Sequence, residues 1–205
     1  ITCPVSLLDT LAARIVADFM MEYPRVEVHL ESTNRRVDVI GEGIDVALRV
    51  RPPPLDDSEL VMRVLAELSQ CLVASPRLLE RHGLPQGPAE LSRYPSLDLG
   101  VPQNEHVWNL FGPVGAQATI HHHPRFITRG MLALRAAAIA GVGVVQLPTL
   151  MVTEQLARSE LVPVIPDWRP RHEIAHAVFA SRRGVLPSVR ALIDFLAKRF
   201  EHPEL

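Results

Sequence analysis

The chain has 205 residues, 47% of them hydrophobic and 21% charged, which provides a sizeable core and excludes the disordered class of proteins. A net charge of −2 at pH 7 lacks the basic surplus of a domain that binds nucleic acid by itself. The sequence contains no apolar run of about 18 residues and no signal-peptide layout at its start. The two cysteines, Cys3 and Cys71, give no disulfide framework, so we expect a reducing, cytoplasmic location.

Strand and helix patterns alternate along the chain, which predicts an α/β fold with mostly parallel sheets. In the first half, Ser75, Pro76 and Gly83 are the cap, first-turn proline and terminating glycine of a short helix. The predicted strands are 1–4, 26–30, 45–50, 61–74, 96–99, 119–122, 144–147, 161–165 and 174–180. The predicted helices are 6–22, 33–43, 76–82, 131–140, one that begins at Pro148, and 188–200.

Two extended segments divide the chain. The run 61–74 is too long for one ordinary strand, and 161–165 is a second extended segment, so both are predicted to cross between two lobes. We therefore predict that residues 1–68 and 167–205 form lobe I and that residues 69–166 form lobe II.

Five segments occur in an order that is typical of one protein family. They are DVALR at 45–49 after Gly43, LVASP at 72–76 followed by Leu79, AGVGVVQLP at 140–148, Phe19 with Tyr23-Pro24, and 188–196. Together they resemble the effector-binding domain of LysR-type transcriptional regulators. The resemblance implies two Rossmann-like lobes joined by two crossing strands, as in type 2 periplasmic binding proteins, with a small-molecule effector bound in the cleft between them.

The resemblance has further implications for partners. It implies an N-terminal winged helix-turn-helix domain that is absent from this chain, so that DNA would be bound only through that domain. It also implies a homodimer, and a tetramer of the full-length protein. No cofactor and no metal are predicted.

Ligands of open α/β sheets bind beyond the carboxyl ends of strands, at helix N-termini whose free amides favour anions. In this sequence an arginine, Arg129, precedes an apolar helix, where its fork of donors suits a carboxylate or phosphate. We therefore expect a small organic anion. The predicted ligand-binding residues are Pro4, Val5, Ser6, Ser32, Thr33, Arg51, Leu99, Gly100, Thr128, Arg129, Gly130 and Gln146.

Several of these residues have a second interpretation. Ser6, Ser32 and Thr33 are equally well explained as plain helix caps, each contributing roughly 1 kcal/mol. Arg49 and Arg51 are better explained as solvated, or as paired with one of three carboxylates (Asp45, Asp56 or Asp57).

Two histidine groups also have alternative interpretations. Along a strand only His121 and His123 share a face, so solvated histidines are favoured over a metal site at His121-His122-His123. His106 and Trp108 form either a wall of the ligand site or a loop histidine beside a packed tryptophan.

Two other classes of protein compete with a regulator. An enzyme is disfavoured because the sequence has no nucleophile elbow, paired-histidine zinc motif or phosphate loop. A solute-binding protein of a transport system would share the same lobes, and the full reading frame would decide between the two.

The first helix and the helix 131–140 carry more apolar surface than a sheet can cover. A two-fold dimer that pairs each first helix with helix 131–140 of the other chain would bury both surpluses. The alternative is that both helices are buried within the monomer. The predicted interface residues are Leu8, Ala12, Val16, Met20, Met131, Leu134 and Ala138.

Overall fold

The computed structural model describes residues 1–55, 60–180 and 186–201, and it divides into two compact units. Unit 1 contains Ile1–Leu68 and the chain from Glu173 onward, and unit 2 is Ser69–His172. The strands are β1 (Thr2–Cys3), β2 (Glu31–Ser32), β3 (Ala47–Arg51), β4 (Val61–Leu68), β5 (Gln70–Ala74), β6 (Ser96–Leu99), β7 (Val107–Phe111), β8 (Gln117–His121), β9 (Pro124–Thr128), β10 (Val145–Pro148), β11 (Val162–Pro163), β12 (Arg169–Pro170) and β13 (Glu173–Phe179). The helices are α1 (Val5–Leu7), α2 (Ala13–Glu22), α3 (Pro76–His82), α4 (Met131–Ile139), α5 (Thr153–Ala157) and α6 (Pro187–Glu201), with a π-helical segment Leu8–Ala12 and 3-10 segments Pro88–Arg93, Pro113–Gly115 and Thr149–Met151.

Unit 1 is built on a five-stranded sheet with the order β2-β1-β3-β13-β4. Strand β1 runs parallel to β2 and β3, whereas β13 is antiparallel to both of its neighbours. Because β13 lies inside the sheet, five consecutive residues at 175–179 are buried. The first helix runs without interruption from Val5 to Glu22 through the π-helical segment, close to the predicted 6–22.

Residues 26–43 differ from the prediction. No strand is formed at 26–30, since the residues that pair with β1 are Glu31 and Ser32. The helix predicted at 33–43 is absent as well. Val37 and Val39, two residues apart, are both buried in one cluster, and this spacing is that of an extended chain and not of a helix.

Unit 2 contains three small sheets, with the orders β10-β5-β11, β12-β7-β8 and β6-β9. Three of the nine strand pairings in the described ranges are parallel, so the expectation of mostly parallel sheets was wrong. Helix α3 has the predicted start, because the Ser75 hydroxyl accepts a hydrogen bond from the Leu78 amide. Across the described ranges, no helix has the length and apolar content needed to cross a membrane.

The long extended run 61–74 is divided between the two units. Strand β4 belongs to the sheet of unit 1 and β5 to a sheet of unit 2, with Ser69 between them. On the return path, 161–165 contains only the short β11, which pairs with β5, and β12 still pairs with β7 in unit 2. The chain therefore re-enters unit 1 at Glu173, after the position 166/167 expected from the sequence.

Candidate functional site

In unit 1, the parallel strands β1, β2 and β3 all end at the same edge of the sheet. This edge carries Pro4 to Ser6 after β1, Ser32 and Thr33 at the end of β2, and Arg51 as the last residue of β3. The Thr33 amide donates to the Cys3 carbonyl at 2.9 Å, which holds the first two strand ends side by side. The structure thus places the ligand-binding residues predicted for unit 1 at one edge of the sheet, with Arg51 four residues further along β3 than Ala47, the partner of Thr2.

The hydroxyl groups at this edge do not have the capping role considered for them. Ser6 lies inside the first turn, because the helix begins at Val5 with Pro4 as its flanking residue. The Val5 amide donates to the Asn34 side-chain oxygen at 3.1 Å, so Asn34 supplies the acceptor. Thr33 caps no helix, and its hydroxyl accepts from the Arg35 amide at 3.3 Å.

Two arginines of β3 project from the same face of the sheet, since Arg49 and Arg51 are two residues apart on one strand. Arg49 donates to the Val37 carbonyl at 3.2 Å, which ties it to the loop that carries Arg36. Burial lowers the pKa of the Arg49 guanidinium, and the positive charges of Arg36 and Arg51 lower it further. Within the described ranges, neither Arg49 nor Arg51 pairs with Asp45, and Asp56 and Asp57 lie outside those ranges.

In unit 2, the parallel pair β6 and β9 presents a second edge. The Gly100 amide donates to the Thr128 carbonyl at 2.9 Å, and the Gly130 amide donates to the Thr128 hydroxyl at 3.1 Å. Arg129 is exposed and lies directly before Gly130, the N-cap residue of α4. Two further predicted residues lie near this edge: Leu99, which ends β6, and Gln146 on β10. The chain just before β10 runs parallel to β6, because Val144 forms a parallel bridge with Ser96.

A largely buried polar cluster joins β6 to β7 and to the end of β8. The cluster consists of Ser96, Asp98, His106, Trp108 and His122. Asp98 Oδ2 is 2.6 Å from Nδ1 of His106, and Ser96 Oγ is 2.8 Å from Nδ1 of His122. The His122 ring stacks on Trp108 with a centroid separation of 4.0 Å. Although serine, histidine and aspartate occur together here, the Ser96 hydroxyl is buried and is not placed to attack a substrate.

His122 is the member of this cluster whose protonation is most affected. Burial lowers its pKa from 6.5 to about 4, the Asp98 carboxylate opposes that change, and the neighbouring His106 and His123 add to it. Nε2 of His122 has no hydrogen-bond partner among the described residues. The expectation of a solvated histidine run therefore fails for His122 but holds for the exposed His121 and His123. No group of three metal-ligating side chains occurs in the part of the chain that the structure describes.

Four of the predicted interface residues are already buried in the chain. Ala12 and Val16 are buried in unit 1, and Leu134 and Ala138 belong to the core of unit 2, so these four cannot provide free interface surface. Leu8 and Met131 are partly buried, and Met20 is exposed. The four buried residues were predicted wrongly because both helices are apolar on nearly all sides. The sequence did not distinguish the face that packs inside the monomer from the face that stays exposed. The exposed apolar residues of the same helices are Ala13, Ala17, Met20 and Met21 on α2 and Leu132, Ala133, Ala136 and Ile139 on α4.

Sequence reasoning missed two features of these sites. Asn34 and Arg36 come from the loop that was predicted as a helix, and a helical assignment gave them no role at the strand ends. Asp98 on β6 contacts His106, which precedes β7, and His122, which follows β8. Such contacts between distant residues cannot be predicted from the local sequence pattern. The alternation of Val37 and Val39 was the one available signal for the loop.

Comparison with known proteins assigns the family. The family model of the LysR substrate binding domain matches residues 1–201. An HTH-type transcriptional regulator of Xanthomonas campestris is 32% identical over 201 residues, covering 97% of this chain and 58% of the relative. The HTH-type transcriptional activator AaeR of Escherichia coli is 28% identical, covering 98% of this chain and 64% of its own length. The chain thus spans roughly three fifths of these relatives.

Solved structures agree with this assignment. The regulatory domain of CrgA from Neisseria meningitidis, a LysR-type transcriptional regulator, has a TM-score of 0.82 at 28% identity and covers 97% of this chain and 96% of that chain. The full-length Vibrio cholerae virulence activator AphB has a TM-score of 0.84 at 27% identity and covers 97% of this chain and 67% of that chain. The fold is that of type 2 periplasmic binding proteins, and the family is one of transcriptional regulators and not of enzymes. The chain belongs to the LysR substrate-binding domain family of transcriptional regulators.

Proposed function

We propose that this chain is the effector-sensing part of a cytoplasmic LysR-type regulator and that its effector is a small organic anion. The observation that supports an anionic effector is the edge of unit 1, where the first turn of a helix and the hydroxyl groups of Ser6 and Thr33 lie at the ends of two paired parallel strands. Arg51 ends the third parallel strand of the same edge. The Val5 amide is taken by Asn34, whereas the geometry of a helix leaves the amides of Ser6 and Leu7 without an acceptor inside the helix. Such amides and hydroxyls favour a carboxylate or phosphate. The DNA-binding step belongs to a domain outside this chain.

The test begins with a screen of organic anions by thermal shift, followed by calorimetry on each anion that stabilises the chain. Replacing Ser6 by alanine and Thr33 by valine should weaken binding, because each change removes a hydroxyl at the strand ends. Two exposed hydroxyl residues of unit 2, Ser92 and Thr119, provide controls with the same substitutions. A complete lack of response to organic anions, or equal losses in the control variants, would contradict the proposed site.

Arg129 is proposed as an anion-binding residue at the strand ends of unit 2. It is exposed at the start of α4, and the structure gives it no carboxylate partner among the described residues. Arg129→Gln should weaken binding by about 1.5–3 kcal/mol, the usual range for a charged hydrogen bond. Arg125, exposed on the preceding strand β9, is the matched control. Unchanged affinity in Arg129→Gln would remove this residue from the site.

We also propose that the chain forms a two-fold dimer through the outer faces of α2 and α4. The support is the exposed apolar surface that remains on both helices, including Met21 with 83% of its surface exposed. Sedimentation velocity should show a dimer that Met20→Glu or Ile139→Glu converts into folded monomers. Leu84→Glu, at an exposed position outside both helices, should leave the dimer intact. A chain that remains monomeric at high concentration would refute this interface.

A further inference from the structure

The face of the unit 1 sheet that carries Arg49 and Arg51 also carries His176. Residues opposite one another on antiparallel strands project to the same side, and His176 on β13 is paired with Arg49. Ile174 is paired with Arg51 and, on its other side, with Glu67 of β4. Burial lowers the pKa of His176, a hydrogen bond to the Ile174 carbonyl opposes this, and the positive charges of Arg49 and Arg51 lower the pKa further.

The position of Arg49 is fixed before any ligand arrives. Its guanidinium donates to the Val37 carbonyl, and Arg36 is the residue next to Val37 in the same loop. Arg51 donates to the carbonyl of its neighbour Val50 at 2.9 Å, and within the described ranges no second acceptor is found for it. Each guanidinium has five donors, so most of the donors on Arg49 and Arg51 have no acceptor assigned in the described residues.

Among the described residues, no carboxylate forms an ion pair with Arg36, Arg49 or Arg51. Asp56, Asp57 and Glu59 follow Arg51 in the sequence and lie outside the described residues. Glu173 contributes a carboxyl group near Arg51. Burial raises the pKa of that carboxyl, and the positive charge of Arg51 lowers the pKa by less. Arg35 is different, because both of its terminal nitrogens donate to the Glu42 carboxylate.

We propose that Arg36, Arg49 and Arg51 bind a doubly charged oxyanion, either a dicarboxylate or a phosphate group. Three guanidinium groups that repel one another are stabilised more by two negative charges than by one, and their forked donors match carboxylate and phosphate oxygens. This inference rests on the proposed function and specifies the charge of its effector. A site of this kind discriminates against monocarboxylates.

The test uses the 205-residue chain at pH 7.5 and constant ionic strength, with malonate, inorganic phosphate and acetate as probes. Malonate or phosphate, or both, should raise the melting temperature with saturation, whereas acetate at equal ionic strength should not. Arg51→Gln and Arg49→Gln should each weaken dianion binding about tenfold or more, the loss expected for one charge-assisted hydrogen bond. Arg35→Gln is the matched control, since Arg35 is already paired with Glu42.

Each result decides for or against the dianion site. A response to malonate alone indicates a dicarboxylate, and a response to phosphate alone indicates a phosphate group. An equal response to acetate, no response to either dianion, or full binding by the Arg49 and Arg51 variants would overturn the inference. If Arg49→Gln fails to fold, the exposed Arg36 and Arg51 supply the same test. Binding of an organic anion that depends on Ser6 and Thr33 but not on the arginines would leave the proposed function standing and remove only this inference.

Discussion

Acidification should destabilise unit 2 through His122. In the folded chain its pKa is about 4, and in the unfolded chain it returns to about 6.5, so the unfolded state binds more protons between these two values. The stability that depends on a neutral His122 is therefore fully present above pH 6.5 and is lost progressively as the pH falls towards 4. At pH 5 the linkage relation gives a loss of about 2 kcal/mol relative to pH 7.5, and the limit below pH 4 is about 3 kcal/mol.

The assay is urea unfolding at pH 7.5 and pH 5 for the wild type and for His122→Phe. Phenylalanine keeps an aromatic ring against Trp108 but cannot take up a proton, so the variant should lose about 2 kcal/mol less than the wild type on acidification. The buried His176 has the same sign of shift, but it is present in both proteins and cancels in the comparison. His29→Gln, at an exposed position in unit 1 and away from His122, should behave as the wild type does. An equal loss of stability in the wild type and in His122→Phe would refute the reasoning.

Two further changes test local structure in unit 2, both by urea unfolding at pH 7.5. Ser75→Ala removes the acceptor of the Leu78 amide at the start of α3 and should cost about 1 kcal/mol, and an unchanged midpoint would show that the cap contributes nothing. Gly143→Ala places a methyl group 2.7 Å from the Pro95 carbonyl oxygen, which is backbone, and should cost about 1–3 kcal/mol. Gly87→Ala, with no atom within 4 Å of the added carbon, should be close to neutral, and equal effects at both glycines would contradict the steric argument.

Elements whose start and end are both marked by residues in the local sequence were predictable. Helix α3 has its cap, its first-turn proline and its terminating glycine within nine residues, and it was predicted to the residue. Helix α4 and strand β10 were placed to within a residue or two for the same reason, since Gly141 and Gly143 separate two continuous apolar runs. Local chemistry determines such boundaries before any tertiary contact is made.

Features that depend on distant partners were not predictable. The segment 33–43 was predicted as a helix, but its conformation follows from Val37 and Val39 packing against Ala47 and Val178 in the sheet. The burial of His122 likewise depends on Trp108 and Ser96, which lie far from it in sequence. Tertiary contacts override local propensity in both places. The position of the predicted residues at strand ends could be inferred because it follows from sheet topology alone. The proximity of Arg36 to Arg49 could not be inferred, because it depends on the path of the loop 33–43 over the sheet.

The interior position of β13 in the sheet affects the order in which the chain can assemble on the ribosome. Strands β3 and β4 are not neighbours in the sheet, because β13 lies between them, and it is made only after the whole of Ser69–His172. At translation rates of about 5–20 residues per second, β4 waits roughly 5–20 s for its partner. The middle of the polypeptide can therefore reach its native contacts while the earlier segment is still exposed, which makes the nascent β3 and β4 the stretch that a chaperone would need to shield. A polypeptide truncated before residue 173 would keep a complete unit 2 and leave the sheet of unit 1 without the strand that joins β3 to β4.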